Sequence, residues 1–210
     1  MKFLSMMLVC FGFVNSGNCQ TMIENGVSCG EKKIIVDQHN EYRMMVANGT
    51  LSGQPKASNM EKIVWDDGLE AIAQNWADGM QFQHNPNRTD SRFPAVGENI
   101  YMSYTQNGSS DMDWKAAVGA WFDENEVYTY APLTTYITTG HYTQLVWART
   151  TYVGCGGAFY EEDGLQYKLY VCDYGPAGNY YGQNVYETGQ GCENLCCTYN
   201  QCGDIYGAEC

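Results

Sequence analysis

Between residues 31 and 47 the chain reads EKKIIVDQHNEYRMMVA. Ile34, Ile35, Gln38, Tyr42, Met45 and Val46 recur there at the spacing of one helix face, and Gly49 is placed to end the helix. Residues 67–81 repeat the period with Leu69, Ile72, Ala73, Trp76 and Met80, and residues 113–128 with Trp114, Ala117, Val118, Trp121 and Phe122. The second half of the chain changes period. Residues 98–104, 142–147, 152–160 and 166–174 are short runs rich in β-branched and aromatic side chains, and each predicts a strand. Gly164, in the turn EEDG, joins the last two as an antiparallel hairpin. Helices come first and strands cluster late, which is the α+β layered class and not a parallel sheet of alternating units.

The two ends of the chain read differently from its middle. After Lys2, residues 3–14 are an apolar run followed by Ser16 and Gly17. That layout predicts a secretory signal peptide over residues 1–19, cleaved between Ser16 and Cys19 and too short to span a bilayer. No other stretch reaches the roughly 18 apolar residues of a membrane span, so a soluble mature protein is expected. Residues 20–186 suffice for one domain with a core of its own. Residues 187–210 carry five cysteines and few core-forming residues, and predict a short disulfide-held extension.

Composition narrows the partners. The net charge of −13 repels phosphate backbones and anionic head groups, so nucleic acid is excluded and so is purely electrostatic membrane docking. Of ten cysteines, Cys10 leaves with the signal peptide, and eight remain if Cys19 leaves too. The remaining eight are Cys29, Cys155, Cys172, Cys192, Cys196, Cys197, Cys202 and Cys210. An even count behind a signal peptide predicts four disulfides formed in an oxidising compartment. The C-terminal cysteines have no histidine among them and no paired C-x-x-C units, so a zinc site is the weaker reading there. Asn48, Asn87 and Asn107 each open an acceptor sequon for an N-linked glycan.

The nucleophile and phosphate motifs G-x-S-x-G, H-E-x-x-H and the P-loop are absent, and with every mature cysteine paired no thiolate is left to attack. The chemistry therefore rests on three histidines: His39, His84 and His141. His39 and Arg43 lie one turn apart on one face of the first helix and read as structural, bonding to a neighbouring loop.

Two runs carry a family resemblance. GHYTQLVWARTTYVGCGG, residues 140–157, and YVCDYGPAGNYYGQNVY, residues 170–186, resemble the two signature motifs of the CAP family. That family comprises cysteine-rich secretory proteins, wasp venom antigen five, plant pathogenesis-related proteins and helminth venom allergen-like proteins. The resemblance covers about residues 29–186. It implies a three-layer αβα sandwich around a central, mostly antiparallel sheet. It also implies a Cys155–Cys172 bridge, which a hairpin about Gly164 would set face to face. The other six cysteines allow 15 pairings, with Cys29 expected to reach into the tail.

The resemblance further implies a cleft built from two histidines and two glutamates. Carried over motif by motif, these are His84 in FQH, Glu98 in GEN, Glu124 in WFDEN and His141 in GHYTQ. Two neutral imidazoles can hold zinc or another divalent cation weakly, with the glutamates orienting the rings. The same four residues can equally form a hydrogen-bonded cluster that binds no metal. Some family members bind sterols near the GEN segment and fatty acids between helices. The matching stretch here offers Phe93, Tyr101 and Tyr104 as lipid-binding rings, against the simpler reading of strand packing. Two departures stand out. Met80 occupies a place where many members carry a cysteine. The C-terminal cysteines also differ from the channel-blocking domain of the larger vertebrate members, so channel blockade is not implied. The implied function is a secreted, non-enzymatic binding protein for a sterol or other lipid, or for a host or other extracellular protein partner. The alternative is a metal-dependent extracellular hydrolase, for which two protein ligands fall one short of the usual open catalytic zinc.

Overall fold

The computed structural model describes residues 8–10, 19–135, 137–192, 194–198, 202–207 and 210. Most of the expected signal peptide, residues 1–7 and 11–18, lies outside the described residues. In chain order the elements are β1 (Leu8–Cys10), β2 (Cys19–Asn25), α1 (Cys29–Asn48), β3 (Val64–Trp65), α2 (Asp67–Ala77), β4 (Gly97–Thr105), α3 (Trp114–Asp123), a 3₁₀ turn (Glu124–Glu126), α4 (Gly140–Leu145), β5 (Tyr152–Glu162) and β6 (Leu165–Gly175).

The strands form one sheet in the order β1-β2-β5-β6-β4, with β3 parallel to β5 and every other pair antiparallel. The predicted hairpin is its spine. Glu162 faces Leu165, leaving Asp163 and Gly164 as a two-residue turn with φ of 52° and 76°, the left-handed pair that suits the twist of a tight hairpin. Successive side chains point to opposite faces. Val153 and Cys155 of β5, with Tyr170, Cys172 and Tyr174 of β6, join the core under α1, α3 and α4. Ala158, Tyr160, Leu169 and Val171 meet Ala73 and Ala77 of α2 on the other face. The result is the three-layer αβα sandwich.

Local signals set the helices. Ser28 and Glu31 form a reciprocal capping box at the start of α1, and Gly49 closes it at φ 70°. α2 is capped by Asp66 and stops at Ala77, four residues before the predicted end, where the chain turns and buries Met80 at φ 53°. It lies so close to β5 that a side chain at Gly154 or Gly156 would run into the backbone of Asp66, Glu70 and Gln74. Gln74 then exchanges two hydrogen bonds with the Gly157 backbone at 2.9 and 3.0 Å.

One predicted strand is a helix. Residues 142–147 are all buried, so no period shows in their sequence, and a short apolar run does not distinguish the two states. What decides is tertiary. The Glu124 carboxylate accepts the backbone N–H groups of His141 and Tyr142 at 2.9 and 3.0 Å and starts α4. β2, which the sequence pattern did not mark, pairs with the far end of β5.

Cys155 and Cys172 stand opposite each other in the hairpin and are bonded. Cys29 bonds Cys210, Cys192 bonds Cys196, and Cys197 bonds Cys202. The C-terminal extension is more than an appendage. Cys196 and Ile205 accept the Lys62 and Trp65 amides at 2.8 and 2.9 Å, and Leu195 is buried in the main core.

Arg43 ties these parts together. Its side chain is completely buried and donates to five carbonyls: Glu61, Leu145, Trp147, Ala148 and Thr150, at 2.6–3.2 Å. Burial pushes its pKa down to about 9, with the Glu61 charge opposing, so the group stays charged at neutral pH. Arg43→Met keeps the length but removes the donor to the Glu61, Leu145 and Thr150 carbonyls, each an expected cost of about 1–3 kcal/mol, while Trp147 and Ala148 keep the backbone amides of Thr150 and Glu61. Urea unfolding should therefore show a loss of at least about 3 kcal/mol. A loss under about 1 kcal/mol would mean that the carbonyls find other donors.

Candidate functional site

A cleft of about 500 Å³ opens at the end of the sheet where both outer layers meet the edge strand β4, and His84, Glu98 and His141 line it. Each outer layer contributes one histidine, and each histidine is paired with a glutamate. His84 comes from the loop after α2, and its Nδ1 lies 2.6 Å from Oε1 of Glu98 on β4. His141 opens α4, and its Nδ1 lies 2.6 Å from Oε1 of Glu124 in the 3₁₀ turn behind α3. A carboxylate only accepts, so each ring carries a proton on Nδ1 and leaves Nε2 unengaged by its glutamate. The His84 side chain is 55% exposed and that of His141 32%, whereas Glu98 is fully covered. The Trp121 ring stacks beside His141 at 6.3 Å.

The loop that carries His84 is held from several sides. Glu98 Oε1 also accepts the Asn85 amide at 3.0 Å. Arg88 donates to the carbonyls of Val96 and Asn85 at 2.9 and 2.6 Å. Arg92 grips both oxygens of Asp66 at 2.7 Å, tying the loop to the cap of α2. On the opposite wall Gln144 accepts the Gly178 amide at 2.8 Å, and Asn179 bonds Thr143 and Gly140 at 2.6 and 2.9 Å.

Beneath the cleft runs a buried chain of hydrogen bonds. His39 donates from Nδ1 to the Ile35 carbonyl at 2.7 Å, and its Nε2 accepts the Tyr174 hydroxyl at 2.9 Å. Asn99 Nδ2 donates to the same hydroxyl at 3.2 Å and to the His141 carbonyl at 3.0 Å. α1, β6, β4 and α4 are thereby linked under one histidine of the site.

The three rings expected to hold a lipid do not converge. Tyr101 and Tyr104 are three residues apart on a regular strand, so they point to opposite faces. Tyr101 packs on Tyr170 and Tyr104 on Tyr167, at 5.7 and 5.9 Å. Phe93 sits at the other end of β6, against Gly175 and Tyr152. The sequons fare differently, for Asn48, Asn87 and Asn107 are all exposed. Sequence reasoning missed Arg88, Gln144 and, above all, Asp173. The signal for Asp173 was present, because it takes the inward register of Leu169 and Val171 on the predicted strand.

As for metal, no cluster of three or more His, Cys, Asp or Glu exists among the described residues. The donors for one ion are two imidazole nitrogens, and the glutamates are already engaged in holding the rings. A divalent cation held there would have two protein donors and would complete its shell with water.

Comparison with known proteins gives one picture. Residues 36–174 match the CAP (cysteine-rich secretory protein) family. The chain is 39% identical to scoloptoxin SSD552 of Scolopendra dehaani, over 89% of this chain and 90% of that protein. It is 38% identical to venom allergen 5 of Rhynchium brunneum, over 82% and 79%. A CRISP/Allergen/PR-1 protein of Trittame loki is 37% identical over 88% of this chain, which spans only 48% of that longer protein. Among solved structures, that of NaASP2 with Zn2+ superposes with a TM-score of 0.70 at 32% identity, over 82% of this chain and 97% of the other.

The chain of bonds under the cleft carries a pH signature. Burial pushes the pKa of His39 from 6.5 down to about 4, the Ile35 carbonyl opposing and Arg43 assisting. Between those values the unfolded chain takes up a proton that the folded protein refuses. Stability is therefore full above about pH 6.5 and falls as pH drops towards 4, by about 3 kcal/mol from this one group. Denaturant midpoints from pH 7 to 4 should show the fall, and His39→Gln should flatten it. An unchanged slope in that variant would assign the acid sensitivity elsewhere.

Proposed function

This chain belongs to the CAP (cysteine-rich secretory protein) family, and on that premise we propose that it is an extracellular, non-enzymatic binding protein whose cleft takes a divalent cation through Nε2 of His84 and His141. One observation carries the reading: both imidazoles are fixed through Nδ1 by a glutamate and present their other nitrogen to the same cleft. Carboxylate–imidazole pairs of this kind orient a ring for metal ligation. The solved relative NaASP2 was crystallised with Zn2+. A bound cation would supply a positive anchor for a ligand's electron-pair donor. Glu98 and Glu124 would keep the two rings aimed, and Arg88 would border the ligand.

The rim favours a partner larger than an ion. Ile137 is 90% exposed and lines the cleft together with Tyr180, and an apolar border around polar groups suits a peptide or protein surface. A lipid held by Phe93, Tyr101 and Tyr104 together has less support, because Tyr101 and Tyr104 stand on opposite faces of the sheet and Phe93 sits at the far end of β6. For location, the reading takes the apolar start of the chain as a signal peptide over residues 1–19. Its removal would take β1 away and leave β2 at the sheet edge. Disulfides link all eight remaining cysteines, as an oxidising destination requires. No described helix is long and apolar enough to cross a membrane. A hydrolase is the competing reading, and chelator-sensitive peptide or ester turnover would establish it.

Calorimetric titration tests the metal. Zinc should bind the native protein with one ion per chain and fail to bind a His84→Ala, His141→Ala double variant. Glu98→Gln should retain both ligands and weaken binding by about 10–100-fold. Affinity should fall on acidification, since an imidazole must be unprotonated to ligate. Equal binding by the double variant would remove the cleft from the reading.

A further inference from the structure

Asp173 and Glu98 face each other in direct register across β6 and β4, on the side of the sheet covered by α2. Neither is open to water: Asp173 is completely buried, and so is the Glu98 side chain. The two glutamates of the cleft are served unequally. Each spends Oε1 on a histidine. Oε2 of Glu124 accepts two backbone amides, but Oε2 of Glu98 is buried with no hydrogen-bond partner, and so are both oxygens of Asp173. The groups facing this pair are few. Arg88 stands 3.9 Å from Glu98 Oε1 and can balance one negative charge. On its other side Asp173 faces Gly154 of β5, which brings no charge. Two ionised carboxylates side by side without donors would carry both a desolvation cost and mutual repulsion. One proton between them removes the repulsion and one of the two desolvation costs, and gives Glu98 Oε2 a donor.

We infer that Asp173 is held as the neutral acid, donates its hydroxyl hydrogen to Oε2 of Glu98, and so acts as a positioning residue for His84. With Oε2 occupied, Glu98 keeps Oε1 for the His84 ring and the Asn85 amide. Asp173, Glu98 and His84 form an ordered line of donors that leaves Nε2 of His84 open to the cleft. The role that two backbone amides fill on the Glu124 wall is filled here by one side-chain proton. Burial, and after it the Glu98 charge, raises the Asp173 acid well above the usual carboxylate range, against a smaller pull from Arg88. The consequence for zinc rests on the metal reading given above; the proton itself does not.

Infrared difference spectra of wild type against Asp173→Asn at pH 7 should contain a carboxylic-acid C=O band belonging to the wild type. Its absence would overturn the inference. Nitrogen-15 NMR should find His84 as a single tautomer protonated at Nδ1 in the wild type and in Asp173→Asn, whose amide N–H replaces the acid's donor. Asp173→Val, which removes the donor, should mix the tautomers and weaken zinc binding by about 10–100-fold, while Asp173→Asn leaves zinc affinity unchanged. Wild-type tautomer and affinity in Asp173→Val would refute the positioning role. If Asp173→Val does not fold, the infrared band and the Asp173→Asn tautomer decide. If the wild type binds no zinc, the same two measurements still decide this inference, and only the metal reading is lost.

Discussion

Arg43 puts a full positive charge inside the protein and surrounds it with carbonyl oxygens drawn from two distant stretches of chain, Glu61 on one side and residues 145–150 on the other. Two of these carbonyls, Trp147 and Ala148, also accept the backbone amides of Thr150 and Glu61 at 3.1 Å, and the guanidinium supplies the remaining donors. The connection between α4 and β5 is thereby fixed against α1. That fixes where the central hairpin begins and where His141 stands. Asn40 on the same helix, bonded both ways to Ile63 at 2.9 Å, holds the approach to β3. A buried charge met only by dipoles tolerates few rearrangements, because any other packing would leave it or its acceptors unpaired.

The cleft follows from this frame. It lies where the edge strand β4 separates the two helical layers, and so it collects one histidine from each. The α4 wall is rigid by construction, since Glu124 caps the helix and holds the ring at once, and Asn99 ties its backbone to the buried Tyr174. The α2 wall is a loop with no helix to stiffen it. Charged side chains stiffen it instead: Arg88 on its carbonyls, Arg92 on Asp66, and Glu98 on His84 and Asn85. Met80 is buried in the α2 core, and its carbonyl accepts Gln20 of β2 at 3.3 Å. The wall is therefore held by packing and polar contacts.

The C-terminal extension uses both kinds of restraint. Two of its bridges close loops of only a few residues and stiffen it locally, while Cys29–Cys210 ties its end to the start of α1. Backbone hydrogen bonds to Lys62 and Trp65 lay it along β3, and the Tyr206 hydroxyl donates to Asp37 of α1 at 2.9 Å. Cross-links between residues far apart in sequence restrict the unfolded chain most, so the bridge from Cys29 is the one that couples the tail to the domain.

Much of this was legible in the residues themselves. Periodicity marked α1, α3 and most of α2. The EEDG turn marked the hairpin and with it the facing of Cys155 and Cys172. These are local facts: side-chain spacing within a turn or a pleat, and turn chemistry that only a few residues satisfy. His84, Glu98, Glu124 and His141 were implied by the family resemblance and not by spacing. What only the tertiary structure decided concerns groups that meet from far apart in sequence. Residues 140–145 are helix because Glu124 caps them. Arg43 is structural because five carbonyls converge on it, and Asp173 matters because Glu98 lies across from it with an empty acceptor. A sequence specifies which groups need partners; burial, which removes water as the default partner, makes the fold decide who they are.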